Sequence, residues 1–151
     1  MILLRAFGDV CLDFVDLRFL TSTCSLSLPR VVEIIIEDVP QLESLVFTPP
    51  LGEVHRVVLR QCPSLSAESV TALRSSLECV QELELNDTPV TSDDLEDIAE
   101  TFVHLTSLTV THAPLLTSVA LQSLSLTRVE LSHCANLKSV SMRLPYATHV
   151  S

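Results

Sequence analysis

Histidine, arginine and cysteine fall close together in "VHRVVLRQCPSL", which carries His55, Arg56, Arg60 and Cys62, and His133 directly precedes Cys134 further on. A thiol beside an imidazole is the pairing of a cysteine nucleophile with its base. Asp87, His112 and His133 are, by type, the ligands of a zinc site. Both chemistries need side chains that converge on one point, so the elements carrying these residues decide the matter.

Those elements repeat. Counting from Val54, apolar residues stand at positions 1, 4 and 6, with Cys at 9 and Leu at 12. The spacing begins again at Phe7 ("FGDVCL"), Val31 ("VVEIII"), Val80 ("VQELEL"), Leu105 ("LTSLTV") and Leu126 ("LTRVEL"), at intervals of 21 to 26 residues. On a strand, alternate residues face opposite ways, so positions 4 and 6 point inward while 3, 5 and 7 point outward. One such unit cannot bury its leucines alone, whereas stacked units share a continuous core and pair their strands into a parallel sheet.

This pattern resembles the leucine-rich repeat family over essentially the whole chain. The coils "VHRVVLRQCPSLSAESVTALRSSLEC" and "VQELELNDTPVTSDDLEDIAETFVH" look like the cysteine-containing subtype of ubiquitin-ligase receptor subunits, and "CANLKSVSM" is similar to bacterial surface-type repeats. The resemblance implies an α/β leucine-rich-repeat solenoid of about six coils of 21–26 residues, with a parallel concave sheet and a convex side of mixed helices (coils 3 and 4) and short strands. It also implies a single leucine-rich-repeat domain over residues 1–151.

The return halves of the coils differ. After Ser66, Val70, Leu73 and Leu77 follow helical spacing. In "TSDDLEDIAETF", Thr91 and Asp94 stand at capping-box distance ahead of Leu95, Ile98 and Phe102. Elsewhere "LESLVF", "LTSVAL" and "LKSVSM" repeat strand spacing about half a coil later and are expected as short convex strands. Position 9 reads Val15, Val39, Cys62, Thr88, Ala113 and Cys134, so only three of six coils can place a polar group there. Neither end carries a polar capping repeat, and "ATHVS" begins another strand. The chain is therefore expected to be an arc of a longer solenoid, or of an assembly reached through its uncapped ends.

This placement separates the groups that looked catalytic. Cys62 at position 9 points into the core, while His55 at position 2 lies at the strand's start and faces elsewhere; Cys134 beside His133 follows the same logic. Cys24 and Cys79 sit in connecting segments. Phosphate loops, nucleophile elbows and HExxH helices are absent from the sequence, and the expectation is a non-enzymatic chain that needs no cofactor. Position 8 stacks Asp38, Gln61, Asp87, His112 and His133 at roughly the 5 Å strand spacing, which leaves Asp87, His112 and His133 as a candidate metal column beside the ordinary reading of a solvated edge.

Composition narrows the partner. A formal charge of −10 disfavours nucleic acid and anionic membrane surfaces, and favours a neutral or basic protein. Five cysteines, odd in number and without a CxxC pair, point to free thiols in an intracellular compartment, cytoplasmic or nuclear. Arg5, Asp9 and Asp13 interrupt the apolar N-terminal stretch before a signal sequence could form.

The outward columns form the candidate binding face. Position 3 reads Asp9, Glu33, Arg56, Glu82, Ser107, Arg128; position 5 reads Cys11, Ile35, Val58, Glu84, Thr109, Glu130; position 7 reads Asp13, Glu37, Arg60, Asn86, Thr111, Ser132. Cys11, Ile35 and Val58 are expected to form an exposed apolar strip, rimmed by Glu33, Glu37, Glu82 and Glu84 and anchored by Arg56 and Arg60. The expected function is a protein-protein interaction module binding a partner on its concave sheet. The alternatives are a structural subunit of a large complex and, by resemblance alone, the recognition arm of a ubiquitin ligase.

Overall fold

Alternation of Val, Ile and Leu with polar residues produces strands at the expected intervals. The computed structural model describes residues 2–6, 11–15, 24–26, 31–43, 45–47, 53–65 and 79–151. The main sheet contains β1 (Ile2–Ala6), β2 (Cys11–Val15), β4 (Val31–Glu37), β6 (Arg56–Arg60), β7 (Glu82–Asn86), β8 (Ser107–Thr111), β10 (Arg128–Ser132) and β12 (His149–Val150), in the order β12-β10-β8-β7-β6-β4-β1-β2. From β4 to β12 every pairing is parallel, and the chain forms a parallel-strand β-solenoid of about four turns.

The six-coil expectation fails at the N-terminus. β1 pairs antiparallel with both β2 and β4, so the unit read from Phe7 is the second strand of a hairpin rather than a coil. Its connection explains why. Four residues separate Ala6 from Cys11, whereas a parallel crossover needs about a dozen. Apolar alternation alone does not encode strand direction.

On the opposite wall, β3 (Cys24–Leu26) pairs in parallel with β5 (Leu45–Phe47), and β9 (Ser118–Gln122) with β11 (Ser139–Arg143). The short strands expected after Leu42, Leu116 and Leu137 are all present; the one at Cys24–Leu26, read as a connecting segment, was not anticipated. Among the described residues this wall carries one helix, α1 (Ser92–Thr101), in the fourth of the expected coils. The helix expected after Ser66 lies outside the described residues. Helix α1 starts at a reciprocal capping box: Thr91 N–H donates to Asp94 Oδ2 at 2.8 Å and Asp94 N–H to Thr91 Oγ1 at 3.3 Å. It buries Leu95, Ile98 and Ala99 and lies against β9, where Ser118 N–H donates to Ser92 Oγ at 3.0 Å.

The core is a stack of equivalent positions. Positions 4 and 6 supply Ile34 and Ile36, Val57 and Leu59, Leu83 and Leu85, Leu108 and Val110, all buried. Position 1 adds Val54, Val80, Leu105 and Leu126; position 9 adds Val39, Cys62, Thr88 and Ala113; position 12 adds Leu42, Leu65 and Leu116.

In the main sheet β4, β6, β7, β8 and β10 are each followed by a residue in the left-handed region: Asp38, Gln61, Asp87, His112 and His133 have φ between 52 and 55°. The N–H groups of the first four reach across the sheet, as in Asp87 to the Thr111 carbonyl at 3.0 Å and His112 to the Ser132 carbonyl at 3.1 Å. The conformation turns the chain off the sheet while preserving this bond. Asp and His tolerate it better than branched residues do, and the chain contains only two glycines to use instead.

Candidate interaction face

In-register parallel pairing builds the outward columns from Glu33 onward. Glu33, Arg56, Glu82, Ser107 and Arg128 are direct strand partners, as are Ile35, Val58, Glu84, Thr109 and Glu130, and Glu37, Arg60, Asn86, Thr111 and Ser132. Cys11 departs from the expected arrangement. It pairs with Arg5 on β1, and β1 lies between it and β4, so Cys11 is not the neighbour of Ile35.

Val58 also departs, because it is buried at 1% exposure. Arg56 and Arg60 stand two residues to either side of it on the same face, and both reach toward Glu84, the residue directly opposite Val58 on β7. Ile35 is half-buried. The expected apolar strip is thus replaced by a charged lattice.

Glu84 is the hub of that lattice. Arg60 Nε donates to Glu84 Oε1 at 2.8 Å, and an Arg56 terminal nitrogen lies 3.9 Å from Oε2. Arg56 Nε lies 3.6 Å from both Glu33 and Glu82, and Arg60 approaches Glu37 at 4.0 Å. The hydrogen bond that Arg60 donates to Glu84 raises the Arg60 pKa above its ordinary value, so its charge is constant across working pH. Four carboxylates share two guanidiniums, which leaves the face acidic. Pairs this exposed contribute roughly 0–1 kcal/mol each and weaken in salt.

Beside the lattice, at the strand ends, an open cavity of about 490 Å³ is lined by Glu37, Arg60, Gln61, Asn86, Asp87 and His112. Further along, Thr109, Thr111 and Ser132 replace the charges, and Arg128 pairs with Glu130 at 3.2 Å.

The candidate metal column is aligned but does not converge. His112 and His133 stack with centroids 4.7 Å apart and planes 14° from parallel, which keeps their in-plane nitrogen lone pairs side by side instead of directed at one ion. Among the described residues no three His, Cys, Asp or Glu side chains are grouped to hold a metal, Asp87, His112 and His133 included.

Cys62 is fully buried and donates through Sγ to the Arg60 carbonyl at 3.3 Å. Burial pushes its thiol up to about 11, against the opposing hydrogen bond from the Val39 backbone, so little thiolate forms near neutrality. His55 is exposed ahead of β6, as its position 2 requires. Cys134 makes the corresponding bond to the Ser132 carbonyl at 3.5 Å, whereas the Thr88 hydroxyl at the same position is buried without a partner.

One set of polar residues was missed. At position 2, the hydroxyls of Thr106, Thr127 and Thr148 donate to the carbonyls of Gln81, Thr106 and Thr127 at 3.0 to 3.1 Å, beside backbone N–H bonds to the same acceptors. The signal is three threonines at intervals of 21 residues, one place ahead of the outward columns.

These features define a class, a parallel-strand β-solenoid with a polar, mixed-charge sheet face. No family model, curated protein or solved structure matches the chain, so its own strand pairing is what defines it. Among the described residues no helix is long and apolar enough to cross a membrane.

Proposed function

We propose that this chain is a non-enzymatic protein-protein interaction module of leucine-rich-repeat type, whose concave sheet binds a neutral or basic extended segment. The observation that carries the reading is the Arg56–Glu84–Arg60 lattice with its excess of carboxylates, continuous through Arg60 and Glu37 with the cavity at the strand ends. Guanidiniums held in place lose little freedom on binding, and a surplus of negative charge selects against acidic partners. The cavity's polar lining suits backbone and side-chain hydrogen bonds of an extended chain.

An affinity capture with quantitative mass spectrometry tests this, comparing the wild type with Arg60→Glu and with a substitution on the opposite wall, Lys138→Glu. A partner lost only with Arg60→Glu, and competed by added salt, supports the proposal. The same partners retained by all three proteins remove the concave face from consideration.

A further inference from the structure

The cavity at the strand ends holds two features that the neighbouring lattice leaves unused. The first is a carboxylate: among the described residues Asp87 forms no ion pair, although Arg60 lines the same cavity and spends its Nε on Glu84. The second is an aromatic face. Strand β8 lies between β10 and β7, and the His112 ring stacks on that of His133 with centroids 4.7 Å apart and planes 14° from parallel. His133 therefore covers one face of His112. The other face is turned toward β7, where Asp87 holds the equivalent place roughly one strand spacing, about 5 Å, away. Both residues have φ of 52°, and the Asp87 N–H bonds the Thr111 carbonyl at 3.0 Å, so ring and carboxylate leave the backbone from adjacent, fixed points.

We infer that this corner of the cavity seats an arginine side chain of the bound segment, an inference that rests on the concave interface proposed above. A guanidinium meets both features at once. It is planar, so it lies flat on the free face of His112, and its fork of N–H groups meets the Asp87 carboxylate along its edge. Lysine offers a compact charge on a flexible stem, which satisfies the carboxylate and gains little from a ring face. An anionic side chain is repelled by Asp87 and Glu37. Arg60 carries the opposite charge, but it is held against Glu84 at 2.8 Å and faces Glu37, which leaves the Asp87 end of the cavity negative. Asn86 and Gln61 line the same space and supply amide oxygens for the N–H groups that Asp87 does not take.

Three capped peptides that differ in one side chain test this: Ser-Gly-Arg-Gly-Ser, its lysine counterpart, and its citrulline counterpart, whose planar end is neutral. Each is titrated into the isotope-labelled chain up to about 10 mM and followed by NMR, a range that captures millimolar binding. The arginine peptide is expected to shift the His112 and His133 ring signals and to bind about threefold or more tightly than the lysine peptide, with citrulline the weakest. Asn suits the left-handed region, so His112→Asn and Asp87→Asn keep the turn while removing the ring and the charge. His112→Asn is expected to make arginine and lysine equal, and Asp87→Asn to weaken both. The inference is overturned by a His112 signal that does not move up to about 10 mM. Equal affinity of the wild type for arginine and lysine overturns it too, as does a preference for arginine that survives His112→Asn. Each of these results leaves the concave interface standing, since that reading fails separately, when Arg60→Glu retains every captured partner.

Discussion

The turns built on β4, β6 and β7 and those built on β8, β10 and β12 share one scaffold and carry opposite surfaces. The first set presents carboxylates and guanidiniums on its outward columns. The second presents mainly threonine and serine, and ties its turns together by hydroxyl bonds at position 2. Interior positions from Ile34 to Val129 obey the same rule, and so does the left-handed residue after β4, β6, β7, β8 and β10. A repeat therefore fixes its inward and turning positions and leaves the outward ones free to differ. Surface chemistry can then change from turn to turn without changing the path of the chain.

If the interiors are equivalent, a truncation in either set has the same large effect. Leu59→Ala in β6 and Leu108→Ala in β8 each remove a fully buried side chain and are expected to destabilise by about 2–5 kcal/mol. Denaturant unfolding of both variants checks this. Values differing by more than about 2 kcal/mol would show that one half relaxes around a cavity and the other does not.

A smaller shared effect lies at the strand ends. Gln61 and His133 both occupy the left-handed region, where a β-branched side chain meets the following carbonyl. Gln61→Val and His133→Val should each lose about 1–2 kcal/mol, while Gln61→Gly stays within about 1 kcal/mol of the wild type. Thermal melts of the three variants report the result. A valine tolerated at either site would mean that the left-handed conformation there is not required.

Much of this scaffold could be read from the sequence because in-register parallel pairing turns equal spacing into adjacency. Once Val31, Val54, Val80, Leu105 and Leu126 are aligned as starts, Arg56 must lie between Glu33 and Glu82, and it does. What escaped the reading has physical causes. Strand direction at Cys11 depends on the length of a connection, not on alternation. Val58 points outward, but an outward residue is exposed only if its neighbours are short, and it is buried between two long arginines that reach for Glu84. The histidine column was correctly aligned, yet ligation depends on ring orientation, which spacing does not contain. The threonine ladder stands at position 2, one residue before the outward columns, where strand alternation gives no reason to expect a contact.

The smallest expected effect is the one that separates the two sets of turns. Arg60→Gln removes the 2.8 Å contact with Glu84, and Thr127→Val removes a 3.1 Å hydroxyl bond while keeping the side chain's shape. Each is expected to lose about 1 kcal/mol or less in dilute buffer, since both groups are partly in water and the replaced bonds compete with hydration. Their responses to salt should diverge. The Arg60 contribution is electrostatic, so raising sodium chloride from about 0.05 to about 1 M shortens the screening length and brings the variant toward the wild type. The Thr127 hydroxyl bonds a neutral carbonyl, so its deficit should persist across the same series. Paired urea titrations at the two salt concentrations measure both differences. If the Arg60→Gln deficit is as salt-resistant as that of Thr127→Val, the lattice acts through arginine stems packed over Val58 rather than through its charges, and the two surfaces are less different than their residues suggest.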